Sequence, residues 1–250
     1  MMKIVKSFIP KHIKNSTVLA VYDFLRQKTN SISERVIQQN AAENRRLLHS
    51  KNQPYIPQDV SDGSRDKHFY IENQARWEAI KLGKGRQSSM SYSGCGVIAA
   101  YNALAALQEK VSPDTMIGLI SSFERDGAAL NGRLGIAPRA IDDYFKDRGF
   151  QTAVVTEYNI EETNRIGKEY DVVIVTAYNN KNDITDKIHT VCITKRENGE
   201  YVIHNGYRKN AVSGTWEENR TGMFALAEAI PKIGRDSVAI SVIGINRRMG

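Results

Sequence analysis

Over residues 97–107 nearly every side chain is apolar, so a helix there has no side to turn to water and belongs inside a domain. Amphipathic patterns flank it. Near the start, lysines at 3, 6, 11 and 14 interleave with Ile4, Val5, Phe8 and Ile9 until Pro10 interrupts. Val18, Val21, Tyr22 and Leu25 then follow helical spacing. A second helix is predicted from Ser31, where Ser31-x-x-Glu34 reads as a capping box; its polar 38–46 stretch leaves a thin apolar stripe. Pro54, Pro57 and Asp62-Gly63-Ser64 make 51–67 a linker by composition. The expected division is a helical extension with linker over 1–60 and a main domain over 61–250.

Further along, a short helix is expected over 69–82, and loop over 83–94. Ser112 before Pro113 pairs an N-cap with proline at the first helical position, starting a helix to about 125. Another helix spans 138–148. The period then shortens to two: strands are expected over 151–156 and 171–177, with a helix over 160–169 between them. Strands over 188–195 and 201–206 flank Asn198-Gly199, a hairpin signal. A helix over 221–230 and a strand over 237–246 complete the chain. Helices first and a largely antiparallel sheet second is an α+β pattern.

Composition changes the picture little. Hydrophobic residues make up 41% and charged residues 25% of the 250, ordinary values for a globular chain. No apolar run approaches the roughly 18 residues that would cross a bilayer, and residues 1–15 carry no continuous apolar core of a signal peptide. Two cysteines exclude a disulfide framework and a four-cysteine zinc site. The expected setting is reduced and cytoplasmic, with no cofactor and no metal. The net charge of +7 is uneven: residues 1–75 hold 12 Lys/Arg against 7 Asp/Glu. A basic extension suits a protein partner or an anionic membrane surface. Without a dense Lys/Arg block or interleaved aromatics, nucleic acid is not an expected partner. Gly83-x-Gly85 lacks the preceding strand and further glycines of a phosphate cradle.

The chemistry centres on Cys95. A Gly/Ser turn, Ser91-Tyr92-Ser93-Gly94, delivers it to the first turn of the apolar helix. There the unpaired N–H groups and the positive end of the helix dipole favour a thiolate. Gly94 offers a sharp entry, and Gly96 an open approach for a substrate. The competing reading is a small buried cysteine with no chemistry. A thiol nucleophile needs a base, and the base an orienting group. His189 opens one predicted strand, and His204-Asn205-Gly206-Tyr207 ends its hairpin partner. Cys192 lies three residues after His189, on the other face of a strand, and is read as core.

Gly94-Cys95-Gly96 opening an apolar helix, then His189 on a strand, then Asn205-Gly206-Tyr207 after the next, resembles the papain-like cysteine peptidase superfamily. The bacterial branch that processes bacteriocins at double-glycine sites is the nearer likeness, over roughly 85–246. The resemblance implies a papain-like α+β fold and a cysteine hydrolase acting on peptide or protein. It makes Cys95 the nucleophile, His189 the acid and base, and Asn205 the orienter, with Tyr207 resembling the aromatic that shields the orienter. The family's oxyanion-donating Gln has a candidate in Gln87, which stands eight residues before Cys95 where the family has six, here Ser89. An acyltransferase on the same fold, a non-catalytic interaction module, and a latent enzyme with residues 1–60 across its cleft are the alternatives.

Hairpin parity supplies an internal test. A two-residue Asn198-Gly199 turn sets Asn205 opposite Cys192, on the wrong face for His189. A three-residue loop, 197–199 with Gly199 left-handed, sets it opposite Val191. The longer loop is the one expected.

Overall fold

In the computed structural model, the described residues are 14–56, 70–85, 88–179, 188–206, 220–234 and 236–247. Helices α1 (Asn15–Thr29), α2 (Glu34–Leu48), α3 (Met90–Ser93), α4 (Cys95–Ala106), α5 (Pro113–Asp126) and α6 (Pro138–Lys146) precede the sheet. Strands β1 (Gln151–Val155), β2 (Val172–Tyr178), β3 (Ile188–Lys195), β4 (Tyr201–His204), β5 (Arg220–Met223) and β6 (Val238–Asn246) follow, with α7 (Ile160–Glu169) and α8 (Leu226–Ala229) among them. The six strands lie in the order β1-β6-β2-β3-β4-β5, every neighbouring pair antiparallel. The fold is α+β, as the change of period predicts.

Both faces of the sheet are covered. β2 sits at its centre with every residue buried, which is why its sequence runs apolar without alternation. Ile174, Cys192, Ile243 and Ile245 face α4 in one cluster, while Val173, Val175, Val191 and Ile193 pack with Ile166, Leu226 and Ile230 in another. All of residues 96–105 are buried, the fate of a helix apolar all round. Its one amide, Asn102, is paired twice with Ile71: it accepts from the Ile71 N–H at 2.9 Å and donates to the Ile71 carbonyl at 3.0 Å. That pairing holds segment 70–74 on the central helix.

The extension docks on the same core. Leu48 and Ile56 belong to the cluster around α4, and Asn44 brackets the Lys81 backbone, accepting from its N–H and donating to its carbonyl. The expected boundary itself falls within 57–69, outside the described residues.

Three local expectations are corrected. Helix α2 starts after Ser33, not Ser31; Ser31 instead donates through N–H and hydroxyl to Asn131 Oδ1. Over the described part of that stretch, 70–82, one 3-10 turn, Gln74–Trp77, stands in place of the expected helix. The stretch 221–230 divides into the end of β5, a short α8 and the start of another 3-10 turn. Met223 pairs with Tyr201 and so ends in the sheet, while the good helix formers Leu226–Ala229 keep the helix.

Candidate active site

Cys95 is the first residue of α4 and is partly exposed. The glycines on either side serve packing. Gly94 has ordinary helical-side dihedrals, φ −84° and ψ 3°, but a Cβ there would stand 2.5 Å from the Met90 carbonyl oxygen. A Cβ on Gly96 would meet Ile136 Cβ at 3.0 Å and Ile141 Cδ1 at 3.3 Å. Gly96 is therefore filled by core side chains, not open to a substrate, which corrects the expectation. Gly94→Ala must displace backbone and is expected to cost about 1–3 kcal/mol. Urea unfolding measures this; an unchanged midpoint would show that the 90–95 turn tolerates a side chain.

Four donors act on the charge of the Cys95 sulfur: the N–H and hydroxyl of Thr190 on β3, and the N–H groups of Gly96 and Cys95. Each favours the thiolate. Burial opposes them and wins, so the thiol sits above its ordinary range. The sequence predicts the opposite direction, since helix-terminus donors are local and legible but desolvation by distant chain is not. The Tyr22 phenol lies within electrostatic reach of both Cys95 and Tyr178, and burial first, then the Cys95 charge, pushes its own ionisation far up. Tyr22 packs on the α4 cluster.

Helix α1 is a strap held mainly at its ends. Asn15 Nδ2 donates to the Ala239 carbonyl at 2.9 Å, and the Ser16 N–H donates to Glu157 Oε1 at 3.2 Å. At the other end Arg26 donates to Asp143 Oδ2 at 2.9 Å and the Asp126 carbonyl at 3.1 Å, and Asn30 Nδ2 to the Glu124 carbonyl at 2.9 Å. None of its residues is fully buried, and Val21 and Phe24 are exposed.

The hairpin carries the remaining candidates. Cys192 pairs with His204 and Lys195 with Tyr201. The Arg196 N–H bonds the Glu200 carbonyl, and Gly199 has φ +86°. The loop is the three-residue one; the pairing ends at Cys192 and His204, and Asn205 follows directly after it. His189 is buried, and its Nε2 lies 2.6 Å from the Asn205 carbonyl oxygen. A carbonyl only accepts, so Nε2 carries the hydrogen and Nδ1 is the basic nitrogen of the neutral ring.

Asn205 thus meets His189 through its backbone, while its side chain turns elsewhere. Asn205 Oδ1 accepts from the Gln74 N–H at 3.0 Å, and Nδ2 points to Gln74 Oε1 at 3.4 Å. Against the sulfur stands Thr190, the residue after His189. Strand alternation groups Thr190 with Cys192 toward α4, and His189 with Val191 on the other face. Thr190 in turn shares a hydroxyl contact of 3.1 Å with Thr176. His204 bonds Glu72 Oε1 through Nδ1 at 2.6 Å and Thr194 Oγ1 through Nε2 at 2.8 Å. Gln87 and Tyr207 lie outside the described residues; Ser89 is the residue before α3, its hydroxyl 3.1 Å from that of Ser91.

No family model matches this chain, and no curated protein matches it. Among solved structures it is similar in outline to the peptidase domain of Streptococcus ComA, a bi-functional ABC transporter involved in a quorum-sensing pathway. The TM-score is 0.40 and the identity 11%, over 67% of this chain and 97% of that domain. At that level roles do not transfer from residue to residue.

Glu72, Gln74 and Thr190 are the site residues that sequence reading misses. Thr190 had a signal, being next to His189 on a strand opposite a cysteine-bearing helix. Glu72 and Gln74 had none, because they reach the hairpin only through the Asn102–Ile71 pairing.

Proposed function

We propose that the chain is a cysteine hydrolase of the papain-like kind, acting on amide bonds of peptide or protein and held latent by α1. The observation that supports it is the placing of the helix-terminal Cys95 sulfur against Thr190, whose strand neighbour His189 has its tautomer fixed by the Asn205 carbonyl. In this reading the Cys95 sulfur attacks the amide carbonyl carbon, and a C–S bond forms. The developing oxyanion takes N–H donors at the start of α4. His189 receives the thiol proton at Nδ1 and returns it to the departing amine as the C–N bond breaks. Water then attacks the thioester, giving a carboxylate and regenerating the thiol. The Asn205 carbonyl stabilises the imidazolium by accepting from Nε2–H throughout.

The test is alkylation of Cys95 by iodoacetamide in the full chain carrying Tyr22→Ala, with and without His189→Ala. The expected result is reaction at pH 7 at least ~10 times faster than a free thiol, lost on His189→Ala. A rate equal to a free thiol's and indifferent to His189 would overturn the proposal. A second reading, an inert interaction module on the same fold, is favoured by two observations. They are the upward push on the Cys95 thiol and the strand parity that turns His189 from α4. That reading expects alkylation of Cys95 to stay slow at neutral pH with Tyr22 removed.

A further inference from the structure

We propose that Glu72 is a positioning residue, acting on His189 through the Asn205 peptide; this rests on the hydrolase reading above. Asn205 is the pivot. It follows β4 with φ +60°, a left-handed conformation that asparagine adopts more readily than most L residues. That departure from the strand turns its carbonyl toward His189 Nε2, 2.6 Å away.

Segment 70–74 does the holding. Glu72 Oε2 accepts from the Asn205 N–H at 2.9 Å, while Oε1 lies 2.6 Å from His204 Nδ1. The Gln74 N–H adds a bond to the Asn205 side chain at 3.0 Å. Tyr70 stacks on the His204 ring with centroids 3.7 Å apart, so the carboxylate cannot swing without disturbing a buried histidine. The same segment is fixed to α4 by Asn102 and Ile71. A continuous set of bonds therefore runs from the helix that begins with Cys95, through Ile71, Glu72 and Asn205, to the His189 ring. It ties the proposed base to the frame of the proposed nucleophile. The carboxylate is suited to this because it has two acceptor oxygens for two donors on successive residues. An amide at position 72 has one acceptor and meets the second donor with its own N–H.

The experiment uses the full chain carrying Glu72→Gln. Nitrogen-15 NMR of the imidazoles reads the His189 tautomer, and iodoacetamide kinetics are followed against pH in the Tyr22→Ala background. The expected result is loss of the single Nε2–H tautomer of His189, a shift of the acidic limb of the pH profile, and at least ~10-fold slower Cys95 alkylation at pH 7. Glu72→Asp, which keeps the charge but shortens the reach, is expected to fall between. A folded Glu72→Gln chain with the wild-type tautomer and pH profile overturns the proposal. If Glu72→Gln does not fold, Glu72→Asp is judged by the same two readouts. The tautomer signal is independent of reactivity. Indifference of alkylation to His189→Ala therefore sinks the hydrolase reading, whereas an unmoved tautomer sinks the role of Glu72.

Discussion

Tyr22→Ala is expected to raise the rate of Cys95 alkylation by at least ~10-fold at pH 7 and to move its pH profile toward lower pH. The expected effect has two parts. Burial is the largest cause lifting the thiol, and the Tyr22 phenol is one of the groups beside it. Removing the ring admits water to the sulfur while leaving the four donors from Cys95, Gly96 and Thr190 in place. The balance then tips from desolvation toward donor stabilisation of the thiolate. The second part is the strap. Most of the polar anchors of α1 lie at its ends, and no residue in the helix is fully buried, which places it among the segments that open at low free energy. In the latent reading the Tyr22 ring, packed on the α4 cluster, is what α1 sets over the site. Alkylation is followed by intact mass across pH 6–10, with Tyr22→Phe as a control that keeps the ring and loses the hydroxyl. Equal rates for wild type and Tyr22→Ala would show that the sulfur is covered by something other than α1, and the latent reading would fail.

This cover also marks the limit of what the sequence shows. The central helix is legible because a run apolar on every side has one destination. The hairpin register is legible because Asn198-Gly199 and strand parity leave two options, of which one serves Asn205. Helix α5 is legible from Ser112 and Pro113, whose cap and proline are local; the cap accepts from the Thr115 N–H. What fails depends on partners far along the chain. Ser31 loses its role as a cap to Asn131, and β5 forms because β4 is beside it. Gly96 reads as an opening until Ile136 and Ile141 fill the space. The ionisation of Cys95 reverses in direction because the chain that buries it is not its sequence neighbour. The Glu72–Asn205 clamp is invisible for the same reason: each bond in it spans more than a hundred residues.

The second large effect belongs to Glu124, where the extension meets the body. Its side chain is fully buried in α5. Oε1 accepts from the Gly83 N–H at 2.7 Å and from Asn40 Nδ2 on α2 at 2.6 Å, and Oε2 has no partner among the described residues. Its backbone carbonyl accepts from Asn30, at the end of α1. Burial pushes the carboxyl up to about 7, against the bonds from Gly83 and Asn40 and the Arg125 charge, all of which lower it. In the unfolded chain the same group titrates near ~4.3. The folded state therefore holds the proton more tightly. The associated stability is complete below about pH 4 and is lost as pH rises to and through 7. A difference of that size corresponds to about 4 kcal/mol in full, of which about 3 kcal/mol falls between pH 4.5 and 8. Glu124→Gln keeps the acceptor for Gly83 and Asn40 but cannot ionise. Its stability relative to wild type should rise by about 3 kcal/mol between pH 4.5 and 8, whatever fixed cost the buried NH2 imposes at both ends. Urea unfolding of both chains at several pH values measures it as a difference, so titrations common to both cancel. A relative stability flat in pH would mean that Glu124 is charged throughout or reached by water. The expected slope instead makes the junction of α1 and α2 with the body loosen as pH rises, in the same direction as ionisation of the Cys95 thiol.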